Sequence, residues 1–137
     1  MTAATRFHNP AKRALCCGAL LMALATLIGA IGTHRLKVVL SPDHYSVLQT
    51  AVLYQFLHAL GLLCIGILLQ RRGDRLLGIA GDLLLAGVLL FSGSLYALLC
   101  GAPRGIGMLT PLGGLCLIVG WCVAAAALLR TRDSPVP

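Results

Sequence analysis

Four long apolar runs, residues 14–33, 47–69, 76–100 and 108–129, fill most of this chain, and nearly all its charge lies in the gaps between them. An α-helix rises ~1.5 Å per residue, so about 20 apolar residues cross a hydrocarbon layer ~30 Å thick. Each run approaches or exceeds that length. The pattern predicts an all-α protein, an integral membrane four-helix bundle with antiparallel neighbours. Residues 1–13 read as a polar, flexible lead-in, 14–130 as the transmembrane domain and 131–137 as a disordered tail ending in Ser-Pro-Val-Pro.

The gaps carry stop and start signals. Ser41-Pro42-Asp43 reads as a helix start: Ser41 can cap, Pro42 suits the first turn, and Asp43 favours the positive end of the helix dipole. A helix over 42–69 would measure about 42 Å, which leaves His44 and Tyr45 at headgroup level. The short basic stretch Gln70–Arg75 predicts a hairpin of the second and third helices. Gly101-Ala102-Pro103-Arg104-Gly105 breaks the chain, and Thr110-Pro111 fits the first turn of the fourth helix.

Composition agrees. Hydrophobic residues make up 58% and charged residues 11%, with a mean hydropathy of +0.92, too few polar groups to coat a soluble domain. A net charge of +7 raises the question of nucleic acid, but no basic helix face or aromatic-basic cluster exists, so no nucleic-acid partner is expected. Instead the cations flank the apolar runs. Arg6, Lys12, Arg13, Arg71, Arg72, Arg75, Arg130 and Arg132 fall on one side of four spans, and Arg35, Lys37 and Arg104 on the other. Lys and Arg are retained on the cytoplasmic side, so both termini are expected there. The first run is long for a signal-peptide core, and Gly32-Thr33-His34 is a poor cleavage site, so the first helix is expected to stay.

Six cysteines occur without a C-x-x-C pair. Cys64, Cys116 and Cys122 fall at membrane depth, Cys16 and Cys17 at one end of the first span and Cys100 at the end of the third. They read as small apolar side chains packed between helices. Small-residue faces also appear: Gly18, Ala25, Gly29 and Gly32 in the first span, Asp82, Ala86, Gly93 and Ala97 in the third, and Gly113, Gly120, Ala124 and Ala127 in the fourth. Lipid tails are as apolar as Leu, so close approach of small residues is what draws helices together.

Polar residues inside the spans are the informative ones, because each costs free energy in hydrocarbon. Asp82 should lie near the cytoplasmic edge of the apolar layer, as a proton or cation site or as a carboxylate that is neutral or paired with Lys12, Arg13 or Arg130. Thr50, Tyr54, His58 and Gly61 share one helical stripe, with Gln55 beside it. Ser92, Ser94 and Tyr96 add polar groups on the third span. His34 and His58 lie at different depths, which argues against a bis-histidine haem. No metal cluster, nucleophile triad or phosphate loop is evident; catalytic residues and cofactors are read as none.

Several motifs occur together: Gly29-Ala30-Ile31-Gly32-Thr33-His34-Arg35-Leu36, Tyr54-Gln55-Phe56-Leu57-His58, Phe91-Ser92-Gly93-Ser94-Leu95-Tyr96 and Thr110-Pro111-Leu112-Gly113-Gly114, then Gly120-Trp121. In this order they resemble a small four-span membrane family of unknown function, which includes the bacterial inner-membrane protein YgdD and a eukaryotic transmembrane relative. The match covers residues 14–129. The resemblance implies a four-helix protein of a bacterial inner (plasma) membrane and supplies no reaction. Thr33 and Arg35 stand where the family usually has small residues, and Asp82 where an uncharged residue is expected.

These motifs place His34, Tyr54, Gln55, His58, Ser92, Ser94, Tyr96 and Thr110 in the non-cytoplasmic half. The expectation is one hydrogen-bonded cluster centred on His58, acting as a structural clasp, or as a small-molecule or ion site. The functional reading is a non-catalytic accessory or assembly factor of a larger membrane complex. Its partners would be the lipid bilayer and a homo-oligomer or larger complex. The alternative is a subunit of an oligomeric transporter working through His58 or Asp82. A membrane enzyme would need a bound haem, metal or quinone.

Overall fold

A computed structural model describes residues 9–130. Four long helices account for most of them: α1 (Pro10–His34), α2 (Pro42–Arg72), α3 (Arg75–Leu99) and α4 (Leu109–Leu129), with single 3₁₀ turns at Leu36–Val38 and Arg104–Met108. Among the described residues there is no strand. All four helices are long and apolar enough to cross a membrane.

The helix ends follow from local chemistry. α1 starts at Pro10, so residues 10–13 are helical rather than part of the polar lead-in. The cause is an Asn-Pro start: the Asn9 carboxamide oxygen accepts from the amides of Ala11 (3.0 Å) and Lys12 (3.4 Å), and Pro10 needs no amide partner. The rest of the lead-in and the tail at 131–137 lie outside the described residues. α2 is capped as expected by Ser41, whose hydroxyl accepts from His44 N at 3.3 Å. Its 31 residues span ~46 Å, so it overreaches the hydrocarbon layer.

The connection from α2 to α3 is only Gly73-Asp74. Gly73 takes the left-handed conformation (φ 60°) and donates to Leu69 O at 3.0 Å, closing the helix. Asp74 then caps α3 by accepting from Leu76 N at 2.7 Å. The turn therefore has almost no slack.

Packing follows chain order, α1 on α2, α2 on α3 and α3 on α4, while α1 meets α3 far less. The core lies between α2 and α3, where Leu62, Ile65, Leu77, Ala80, Leu84 and Val88 are buried. α2 and α3 are the most enclosed spans and α1 the least. Leu20, Leu24, Leu27 and Ile31 of α1 and Leu112, Leu115 and Ile118 of α4 form the exposed apolar outside.

The glycine faces explain how close the helices come. On α1, Gly18, Ala25 and Gly32 are buried, and on α4, Gly113, Gly120, Ala124 and Ala127, as expected. A Cβ on Gly113 would lie 2.8 Å from Phe91 Cα, so two backbones touch there. The α3 stripe is different. Asp82 and Gly93 are exposed, and α3 packs instead through Ala80, Gly81, Gly87 and Val88. The physical reason is position: α3 has neighbours on two sides, and the Asp82 stripe is on neither.

The cysteines also depart from expectation. None is buried, and Cys16, Cys64, Cys100 and Cys122 are exposed. Those four lie outward and Cys17 and Cys116 are half-buried; a small apolar thiol suits hydrocarbon as well as it suits a helix interface.

Candidate functional site

The polar side chains of the spans do not converge on one centre. Gln55, only 2% exposed, donates from its amide nitrogen to the carbonyl of Leu21 on α1 at 2.8 Å. Ser92 donates to Ala51 O on α2 at 2.9 Å. Ser94 and Thr110 share a hydroxyl–hydroxyl bond of 2.6 Å between α3 and α4, and Ser94 also reaches Phe91 O at 2.9 Å. Each of the three helix interfaces thus has its own polar tie. Without competing water, each group bonds the nearest available acceptor.

His58 is the expected centre, yet it bonds within its own helix. Its Nδ1 lies 2.7 Å from Tyr54 O. A carbonyl oxygen only accepts, so Nδ1 carries a proton. The ring stacks on Tyr54 (centroids 5.7 Å apart) and meets the Trp121 indole of α4 at 6.2 Å. Tyr54 stacks in turn on Phe91 at 4.4 Å. The result is an aromatic row from α3 across α2 to α4, in place of a hydrogen-bonded cluster. A buried histidine bonded to Tyr, Ser or backbone is the ordinary alternative to a functional one, and the backbone bond is what His58 makes. The sequence-derived cluster left out Trp121, which meets the His58 ring, and Phe91, which stacks on Tyr54.

Two predicted members stand apart. His34 ends α1 exposed and joins neither the row nor the ties. The Tyr96 hydroxyl is enclosed without a hydrogen-bond partner among the described residues. Thr50, on the same stripe as His58, bonds back to Ser46 O at 3.0 Å. Among the described residues no three His, Cys, Asp or Glu side chains gather to hold a metal.

Asp82 pairs with Arg13, one of the three cations expected for it. The pair joins α3 to the N-terminal turn of α1 on the outer surface, with the side chains 55% and 39% exposed, so the carboxylate is not inside the helix packing. It borders an open hollow of about 720 Å³ that also takes in Asn9, Gly73, Asp74 and Arg75.

A groove that the sequence did not announce lies between α1 and α2. Gly29, Gly32, Tyr45, Gln49, Val52 and Phe56 line about 400 Å³. Gly29 and Gly32 read as packing residues in the sequence. Here Gly29 meets only Val52, with a Cβ position 3.4 Å from its Cγ1, while Gly32 one turn on is tight against Leu48 Cδ2 at 3.0 Å.

Known proteins place the chain. Residues 28–114 match the family described as "Protein of unknown function (DUF423)". The chain is similar to a UPF0382 membrane protein of Staphylococcus epidermidis, 41% identical over 82% of this chain and 92% of the relative. It is similar to the UPF0382 membrane protein YwdK of Bacillus subtilis, 38% identical over 82% and 93%. It is similar also to the UPF0382 inner membrane protein YgdD of Escherichia coli, 31% identical over 80% and 83%. No solved structure matches.

Proposed function

Because the chain belongs to the DUF423 family, whose relatives are membrane proteins, we propose that it is a small polytopic protein of the bacterial inner membrane that acts without catalysis, as an accessory or assembly factor of a larger membrane complex. The inner-membrane placement draws on the name of YgdD. The observation that carries the functional reading is the use of the intramembrane polar groups. Gln55, Ser92, Ser94 and Thr110 tie helix to helix, which makes a rigid body whose Leu- and Ile-lined outer faces on α1 and α4 meet other helices or lipid.

The proposed topology has antiparallel neighbours and both termini in the cytoplasm. Contact order supports the first part: Gly18, Gly29 and Gly32 of α1 meet Ala59, Val52 and Leu48 of α2, and Gly113, Leu117 and Gly120 of α4 meet Phe91, Gly87 and Leu84 of α3. The cation distribution supports the second.

Transport through His58 or Asp82 has weaker support, since His58 bonds its own helix and Asp82 pairs with Arg13 at the outer surface. The test is purification in mild detergent from the native membrane. The accessory reading expects a reproducible membrane-protein partner at fixed stoichiometry. A chain that always runs alone contradicts it.

A further inference from the structure

We propose that the groove between α1 and α2 binds one anionic phospholipid, with an acyl chain along Val52, Leu53 and Phe56 and the phosphate at Arg35 and Lys37. The proposal goes beyond the accessory reading and rests only on the four-span topology.

Shape is the first argument. At about 400 Å³ the groove is within the range of small-ligand sites, with mostly apolar walls and a few polar groups. Val52, Leu53 and Phe56 form the apolar wall, and Leu53 and Phe56 are exposed. Tyr45 and Gln49 supply the polar end, and neither side chain is hydrogen-bonded among the described residues. Lipid offers such groups an ester or glycerol oxygen, which a hydrocarbon-only contact cannot.

Charge is the second. The segment 34–44 joins the two walls of the groove, running from Thr33 to Tyr45, and it carries Arg35 and Lys37, both exposed, with His34 and His44. Its one carboxylate, Asp43, lies in the first turn of α2, where the helix dipole holds it. In the proposed topology this side of the membrane keeps only three cations, and two of them are in this short loop. The charge rule depletes such a loop. A retained pair beside a lipid-facing groove complements a phosphate diester.

The test is native mass spectrometry of the purified full chain with equimolar phosphatidylglycerol and phosphatidylcholine of identical acyl chains. The expected result is one retained lipid per chain, phosphatidylglycerol favoured at least about tenfold. Removing the loop cations (Arg35→Gln with Lys37→Gln) should cost about fivefold per charge and erase the preference while helix content stays unchanged. Filling the groove with Val52→Trp should reduce retention of both lipids. Equal retention of the two lipids by the parent, or an undiminished preference in the loop variant, overturns the proposal. If Val52→Trp does not fold, the loop variant still decides.

Two further outcomes also count against it. Glycerophosphoglycerol, the headgroup without chains, displacing the lipid at equal concentration would reduce the site to a phosphate site. A lipid-free dimer lost in Val52→Trp would give the groove to a second copy. Failure here leaves the four-span topology standing, since reporters on the tails test that separately.

Discussion

The seam between α3 and α4 and the seam between α1 and α2 use the same materials and close differently. In both, glycines of one helix face larger side chains of the next. The α3–α4 seam stays shut to its far end: Gly113 brings α4 onto the Phe91 backbone, and the Ser94–Thr110 bond of 2.6 Å ties the same region. The α1–α2 seam is shut where Gly66 meets Leu15 and Gly18 meets Ala59, and is tied once by Gln55 to Leu21 O. Beyond that tie a groove runs beside the seam at Gly29, although Gly32 still meets Leu48 at 3.0 Å. A small-residue stripe therefore brings helices close at some of its positions and leaves room at others.

The sharpest way to break this comparison is to add bulk at matched positions, each about one turn from the end of its helix. Gly113→Ala must displace backbone, since its Cβ would lie 2.8 Å from Phe91 Cα, and should destabilise by about 1–3 kcal/mol. Gly29→Ala meets only Val52 at an ordinary separation and should stay within about 0.5 kcal/mol of the parent. Unfolding by SDS, followed by loss of helix content, measures both. Equal effects would mean that the two seams do not differ.

Next in size is the tie between α1 and α2. Gln55→Leu removes the bond to Leu21 O and should cost about 0.6–1.7 kcal/mol in the same assay. Amide exchange should rise in α1 near Leu21 and not in α4. Ser92→Ala removes the bond between α3 and α2, with an expected loss of about 0.6 kcal/mol. Smallest is Arg13→Gln. The Arg13–Asp82 pair is largely exposed, so its loss should cost under about 1 kcal/mol and shrink further in high salt. A large, salt-insensitive loss would place the pair in a drier setting than its exposure indicates.

Much of the fold was legible because a bilayer leaves few options. Ser41-Pro42, the short basic stretch Gln70–Arg75 and Thr110-Pro111 marked helix ends by chemistry local to a few residues. The start of α1 was misread because Asn9-Pro10, a cap and first turn, lies in a stretch that looks merely polar. The candidate site was legible as a set of residues but not as an arrangement. Helical phase puts Tyr54, His58 and Gln55 near one another, yet it does not say that Gln55 turns to α1 while His58 turns to its own carbonyl. Those choices depend on which acceptor the neighbouring helix presents. The groove was illegible for a related reason: Gly18 and Gly29 are the same residue type on one stripe, and only what α2 sets opposite each, Ala59 and Leu63 at Gly18 but Val52 alone at Gly29, separates contact from cavity.

The central claim is that the chain crosses the membrane four times with both tails in the cytoplasm. Fluorescent-protein and alkaline-phosphatase reporters fused in turn to the N-terminus, after Lys37, after Gly73 and to the C-terminus test it most directly. The account predicts fluorescence without phosphatase activity at both tails and at Gly73, and the reverse at Lys37. Tails reporting from opposite faces would contradict it.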